Sequence, residues 1–188
     1  MTTRYGTGAR IFHWLVALLL LVQIPAGIVM IAPGLAQETI DAVYVVHKGL
    51  GAVLLVIIVL RILWRVMHRA PAMPAHWPPL EQTIAHRTHL TIYAVLLVLA
   101  VSGYVHVVGG GYPIELLDRL GIPPLIPKME GVAVWASLVH RYGSFLLVAL
   151  VAVHVAEVMR HALVEKDGAL RRMWPPFGGG DDAPSGDA

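Results

Sequence analysis

Two histidines, His140 and His154, stand fourteen residues apart in the otherwise apolar segment LVHRYGSFLLVALVAVHVAE. Fourteen residues of α-helix rise about 21 Å and return the second side chain to within about 40° of the first. The two imidazoles therefore lie on one helix face at two depths. Ionisable groups inside apolar membrane segments are functional candidates by default, so each ring is expected to have a partner at its own level.

Two further apolar segments carry one candidate partner each, His13 in RIFHWLVALLLL and His47 in HKGLGAVLLVIIVL. Because these segments cross the membrane in opposite directions, matching by depth pairs His47 with His140 and His13 with His154. Haem iron accepts an imidazole on each face, so two facing pairs predict two bis-histidine haems. A single histidine near a helix end is more often an interfacial or packing residue, and the prediction depends on the four together. Zinc is the weaker alternative, because it needs four ligands in one tetrahedron.

The composition requires lipid as part of the solvent. Hydrophobic residues make up 57% of the 188-residue chain and charged residues 14%, against about a quarter charged in soluble domains. The chain has no cysteine, which excludes disulfides, cysteine-bound iron–sulfur clusters and thioether-attached haem. The net charge of +2 is too small to indicate a nucleic-acid partner.

Four apolar stretches, residues 11–31, 43–67, 88–108 and 132–164, reach the roughly 20 residues that a membrane helix needs. They predict an all-α integral membrane four-helix bundle with up-down-up-down topology. In the third loop, PIELLDRL at 113–120 predicts a short helix on the membrane surface, the alternative being a loop with a chance pattern. Residues 1–174 are expected to form one domain, and the glycine-rich acidic tail 175–188 is expected to be disordered.

The basic residues predict the orientation. Ten of the 14 flank the side that holds both termini and the second connection, and four flank the other side. By the positive-inside rule both termini are cytoplasmic. The ten are Arg4, Arg10, Arg61, Arg65, Arg69, Arg87, Arg160, Lys166, Arg171 and Arg172.

Other polar residues are weaker candidates. Lys48 and Arg141 each follow an outer histidine directly and are candidates for contacts with haem propionates or a substrate anion. The alternative is that they extend to the membrane surface as ordinary interfacial cations. His86, His89 and His161 gather at the inner side as a candidate quinone pocket, and solvated interfacial histidines are the alternative interpretation.

Four stretches, RIFHWLVALLLL, HKGLGAVLLVIIVLRILWR, AHRTHLTIYAVLL and HRYGSFLLVALVAVHVAE, occur in an order that resembles the bacterial cytochrome b561 family. The resemblance covers residues 4–174. It implies a multi-pass protein of the bacterial inner (plasma) membrane with two haem b groups. By its motifs it makes His13, His47, His140 and His154 the axial ligands, the same four that the depths select.

The resemblance also implies an activity. Small members of the family resemble superoxide oxidases, which pass electrons from superoxide to ubiquinone, so the chain is expected to be a superoxide:ubiquinone oxidoreductase. The alternative is a cytochrome b subunit that serves a partner dehydrogenase or other redox protein. The compact four-helix length favours the free-standing type. A non-redox transporter or scaffold is a third class, and it predicts a colourless protein.

Cations on the outer side are expected to steer superoxide toward the protein. Acidic residues share that side, so the outer flank is not uniformly basic. The cations are Lys48, Arg119, Lys128 and Arg141, and the acidic residues are Glu38, Asp41, Glu115, Asp118 and Glu130.

Overall fold

The structure, a computed structural model, describes residues 4–177, and helices are the only regular elements among them. A π-helical turn, His161–Glu165, continues the last long helix, and a short 3-10 helix, Ala169–Arg172, follows. The all-α prediction is confirmed. The α-helices are α1 Thr7–Val29, α2 Gln37–Met67, α3 Pro79–Gly109, α4 Glu115–Arg119 and α5 Glu130–Arg160.

The four long helices are each long and apolar enough to cross a membrane. Their short connections make successive helices antiparallel neighbours: α1 packs against α2, α2 against α3, and α3 against α5. This arrangement is the predicted up-down-up-down membrane bundle. We call the end at which α1 begins and α5 finishes the inner end, and the opposite end the outer end.

The helices begin earlier than the hydropathy pattern predicts, most clearly α2 at Gln37 rather than residue 43 and α3 at Pro79 rather than residue 88. Hydropathy marks only the part of a helix that lies in hydrocarbon. A 31-residue helix is about 46 Å long, whereas the hydrocarbon core is about 30 Å thick. The polar first turns therefore extend beyond it, and proline is well suited to begin α3 because its fixed φ matches the first helical position.

The buried core lies at mid-height in the bundle. It is formed by side chains from all four long helices, including Val16, Leu54, Leu99, Leu147 and the almost fully enclosed Ile58. Most other large apolar side chains are exposed, as the lipid-facing side of a membrane helix requires. The core fills the level between the two ends and separates them.

The short helix in the third loop is confirmed, and it packs against α2. Lys48 of α2 donates to the carboxylate of Glu115 at 2.8 Å and to the carbonyl of Pro113 at 2.9 Å. Gly49 leaves room for Leu116, whose Cβ would lie only 3.3 Å from a Cβ added at that glycine. The contact covers part of the outer end of α2.

The C-terminal segment 166–175, which we call the inner cap, closes the inner end. The Trp14 indole donates to the carbonyl of Met173 at 2.9 Å, and the Arg172 guanidinium donates to the carbonyl of Ala72 at 2.6 Å. The cap thereby joins α1 and the second connection. Of the tail that was predicted to be disordered, residues 178–188 lie outside the described part of the chain.

Candidate functional site

The four histidines singled out by depth meet as two pairs. The ring centres of His13 and His154 are 6.3 Å apart near the inner end, and the planes cross at 71°. The ring centres of His47 and His140 are 6.2 Å apart near the outer end, with planes at 89°. The structure brings together the same pairs that matched depth predicts, joining α1 to α5 and α2 to α5.

The spacing of each pair fits one metal ion between two imidazoles. An imidazole nitrogen binds a transition-metal ion at about 2.0 Å and its ring centre lies about 1.1 Å farther back, so two opposed rings have centres about 6.2 Å apart. Helix α5 packs mainly on α3, and its backbone approaches α1 and α2 far less. A flat macrocycle needs this separation between the helices that supply its ligands, so the residues present fit haem.

The outer pair is held by local contacts that orient one ring. The Nδ1 of His140 lies 2.9 Å from the carbonyl oxygen of Leu99. Since a carbonyl only accepts, His140 donates through Nδ1, and its Nε2 lone pair is left for a metal. Gly103 makes room for this ring, because a Cβ added there would lie 2.9 Å from the His140 Cε1. The Nδ1 of His47 is buried without a hydrogen-bond partner among the described residues.

A buried glutamine, which the sequence did not single out, also belongs to the outer end. Gln23 donates through Nε2 to the backbone carbonyl of His47 at 3.1 Å, and its Oε1 is buried without a partner in the described part of the chain. Gly51 leaves room for the amide, since a Cβ there would lie 3.2 Å from Nε2. The sequence signal that could have identified Gln23 is its position as a polar residue within an apolar run.

Two polar residues contact the inner pair, and a third, Tyr93, contacts one of them. His89 of α3 has its ring centre 5.2 Å from that of His154. Arg61 of α2 places Nη2 3.0 Å from the Nδ1 of His13 and donates through Nε to the hydroxyl of Tyr93 at 3.1 Å. The sequence analysis used Arg61 only to predict the membrane orientation of the chain. A charged residue inside an apolar run is also a signal of a functional site.

The three histidines of the candidate quinone pocket lie in three different environments. His89 contacts the inner pair, as described above. His86 lines an open cavity of about 510 Å³ together with Gln82 and Thr83. His161 is buried in a charged cluster, with Nδ1 2.7 Å from Asp167 and its ring stacked on Trp77 at 4.3 Å. The three side chains thus have different neighbours, and a quinone pocket that involves them stays a prediction.

Carboxylates surround His161 at the inner end. Arg160 forms ion pairs with Glu81, Glu157 and Glu165, and the Nε2 of His161 lies 3.2 Å from Glu81. Two groups of three ligand atoms there are close enough together for a metal ion. Arg160 bridges the three glutamates and His161 contacts Asp167, so the cluster is best described as a network of ion pairs and hydrogen bonds that ends α5.

The two candidate anion contacts differ. Lys48 is mostly buried and ion-paired with Glu115, so its charge is directed to α4 instead of a free anion. Arg141 is exposed on α5. Lys128 is also paired, with the exposed Glu130 at 2.8 Å. Two of the four outer cations are thus neutralised locally, which weakens the predicted steering of an anion.

Two carboxylates outside the membrane-spanning segments have altered acidity. The hydrogen bond from Lys48 lowers the pKa of Glu115. Burial opposes ionisation of Asp167, but hydrogen bonds from the Ala169 amide, the Trp77 indole and His161 outweigh it and lower the pKa of Asp167 to about 2. Both groups are therefore ionised at neutral pH, one fastening α4 and the other fastening the inner cap.

Comparison with known proteins connects this arrangement to one family. Residues 4–176 match the family model described as prokaryotic cytochrome b561. A relative, the cytochrome b561 homolog 2 of Escherichia coli (strain K12), is 27% identical over 170 residues, which cover 90% of each chain. The matched residues include all four long helices and both histidine pairs. The chain therefore belongs to the prokaryotic cytochrome b561 family, as a membrane electron-transfer protein of the haem b type.

Proposed function

We propose that this protein is a di-haem cytochrome b that moves electrons from superoxide at the outer end to ubiquinone in the membrane. His13 with His154 and His47 with His140 hold the two haems. The observation that supports this most strongly is the pair of imidazole spacings, 6.3 and 6.2 Å, at opposite ends of one bundle. Two matched sites at two depths are suited to carrying charge across the bilayer.

The ligand set favours electron transfer over binding of a substrate at iron. Haem held by two imidazoles supplies a one-electron carrier whose iron has no open coordination position. The protein keeps the imidazoles in place, as the Leu99 carbonyl does for His140. The apolar core around Ile58 fills the level between the sites.

The electron balance of the proposed reaction is simple. Two superoxide anions each give up one electron and leave as dioxygen. Ubiquinone accepts the two electrons and two protons and leaves as ubiquinol. The donor needs only to approach the outer end, where Arg119 and Arg141 are exposed and attract an anion.

The quinone site is proposed at the inner end. Of the three histidines considered, His86 lines the open cavity next to the start of α3, and an imidazole there is able to hydrogen-bond a quinone carbonyl. His89 instead contacts the inner pair, and His161 belongs to the ion-pair network. His86→Ala is expected to slow quinone reduction while leaving haem reduction by superoxide unchanged.

The proposal is tested by stopped-flow mixing of the purified protein with superoxide, with and without ubiquinone. Haem absorbance should report prompt reduction, followed by reoxidation only when quinone is present. Lack of reduction by superoxide, with rapid reduction by a co-purified dehydrogenase, would instead support the alternative of a cytochrome b subunit. The proposed orientation, with both termini cytoplasmic, is tested separately by reporter fusions at either terminus.

A further inference from the structure

Arg61 holds a charge in an unusual place. It lies six residues before α2 ends at Met67, within the apolar run LLVIIVLRILW, and is half-buried. A long basic side chain near the end of a membrane helix usually extends toward water. Arg61 instead reaches between α1 and α3, where it contacts His13 and Tyr93.

Tyr93 fixes the position of the guanidinium in two ways. Its hydroxyl accepts a hydrogen bond from the Arg61 Nε at 3.1 Å. The Arg61 Cζ also lies over the Tyr93 ring, 4.9 Å from its centre, a geometry that favours a cation. The charge is therefore held at the inner pair, which makes Tyr93 a positioning residue for Arg61.

No carboxylate of residues 4–177 lies within ion-pair distance of Arg61. A guanidinium without a counter-charge in a membrane segment is costly, and such residues normally pair with an anion. Its planar set of donors matches a carboxylate or a phosphate.

The contact with His13 leads to the same conclusion. A guanidinium only donates, so the Nδ1 of His13 must accept at this contact. A neutral imidazole that binds metal through Nε2 carries its proton on Nδ1 and cannot accept there. The two roles conflict, so the acceptor for Arg61 beside a metal-bound His13 must be a different group.

We infer that Arg61, positioned by Tyr93, binds a carboxylate of the inner haem and supplies a fixed positive charge that favours its reduced state. The inference rests on the proposed function, because it takes His13 and His154 as the ligands of that haem. One electron leaves the outer site and arrives at the inner site, and no atom is transferred. The positive charge of Arg61 favours arrival of the electron at the inner site.

The test is a redox titration of Arg61→Gln in the purified holoprotein, in a His140→Ala background that retains the inner haem. Arg61→Gln should shift the equilibrium between reduced and oxidised inner haem about tenfold toward the oxidised form. This lowers the midpoint potential of that haem by about 59 mV for one electron. Arg61→Lys should keep the midpoint potential of the inner haem close to the wild-type value. Arg65→Gln, one turn farther along α2 and also half-buried, is the matched control and should change it little.

Equal shifts in Arg61→Gln and Arg65→Gln would overturn the inference. Tyr93→Phe keeps the ring but removes the hydroxyl, and it should shift the equilibrium in the same direction by a smaller factor. An unchanged midpoint potential in Tyr93→Phe would show that Tyr93 does not position Arg61.

A second experiment identifies the source of the carboxylate. Apoprotein of the same background is loaded with haemin or with its dimethyl ester, which has no free carboxylate. The ester should be lost about tenfold faster than haemin from the protein with Arg61, and at the same rate as haemin from Arg61→Gln. If lipid phosphate were the anion, haemin and its ester would be lost at the same rate from both proteins, and the inference would be wrong.

The haem content of ligand variants separates this inference from the proposed function. If His13→Ala and His154→Ala leave the haem content at the wild-type level, the proposed function fails. If those variants lose a haem and Arg61→Gln behaves as wild type in both experiments, the ligand assignment stands and only the role of Arg61 is wrong.

Discussion

His140 and its partner His47 are held differently at the outer end. The Leu99 carbonyl fixes the tautomer of His140, whereas the Nδ1 of His47 is buried without a partner among the described residues. A buried polar atom without a partner is destabilising. At the outer pair the protein therefore orients the His140 ring through a hydrogen bond, whereas no described residue bonds the Nδ1 of His47.

The space beside His140 leads to a prediction about Gly103. A methyl group at this position would lie 2.9 Å from the His140 ring, so the ring or the helix would have to shift. Gly103→Ala should displace the ring and reduce the haem content by about half, from about two haems per chain to about one, as measured by a pyridine haemochrome assay.

Gly131→Ala is the control for this substitution, because an added methyl group there meets no atom within 4 Å. It should leave haem content unchanged. A Gly103→Ala protein that retains full haem would show that the ring position is not critical.

At the residue scale, the sequence predicted the four histidines and their pairing because depth follows from position along antiparallel helices. It did not predict Arg61, Tyr93 or Gln23 as neighbours of the pairs. Their contacts depend on how the helices are rotated about their axes. Rotation is set by side-chain packing across the bundle, which hydropathy in a single sequence does not specify.

At the element scale, an ion pair helps to fasten α4 to α2. Glu115 holds α4 to Lys48, and the hydrogen bond from Lys48 lowers the pKa of that carboxylate. Because the pKa is lowered in the folded state, the stabilisation is present above the ordinary carboxylate pKa and is lost as the pH falls below it. Weaker attachment of α4 to α2 at acidic pH is the expected consequence.

Glu115→Gln tests this dependence. It should lower Tm at neutral pH by about 2–4 °C, the shift expected for about 1 kcal/mol in a chain of this size. It should also make the third loop more sensitive to limited proteolysis. The effect on Tm should disappear below the pH at which wild-type Glu115 is protonated.

Glu130→Gln provides the matched comparison, since Glu130 pairs with Lys128 at an exposed position of the same outer end. Its Tm should equal that of the wild type. Equal losses of Tm in both variants would contradict the fastening role of the Lys48–Glu115 pair.

The helices themselves were predictable from the sequence, but their ends were not. The apolar runs predicted four crossings, and the structure has four. The polar residues at the start of α2 and α3 reduce the hydropathy without stopping the helix, so the predicted starts at residues 43 and 88 were late. The π-helical turn at His161–Glu165 lies among ion pairs and a stacked Trp77 ring, partners from other elements that hydropathy does not identify.

At the scale of the whole molecule, the inner cap joins distant parts of the chain. Asp167 accepts hydrogen bonds from the Trp77 indole at 2.7 Å and the Ala169 amide at 2.9 Å, and it contacts His161. These bonds connect the second connection, the end of α5 and the C-terminal segment. The cap is thus a polar closure of an otherwise apolar bundle.

Asp167→Asn should weaken that closure. Removal of the charge weakens three hydrogen bonds, and a loss of about 5 °C in Tm is expected at neutral pH. Since the pKa of Asp167 is lowered to about 2, its stabilisation is complete above the ordinary carboxylate pKa and is lost as the pH falls toward 2. The Tm difference between the variant and the wild type should therefore shrink below about pH 4.

The exposed Asp118 of α4 offers a control. Asp118→Asn should change Tm little at any pH in this range. A constant difference between Asp167→Asn and the wild type down to pH 2 would show that the charge of Asp167 does not fasten the cap.

The central claim is that two haems are held crosswise, one by His13 with His154 and one by His47 with His140. The most direct measurement is the haem content and reduced absorption spectrum of the four single histidine-to-alanine variants. The account predicts that the two variants of one pair lose the same haem and therefore have the same spectrum. Variants of different pairs should lose different haems and have different spectra. Different losses within a pair, or full haem content in any variant, would contradict it.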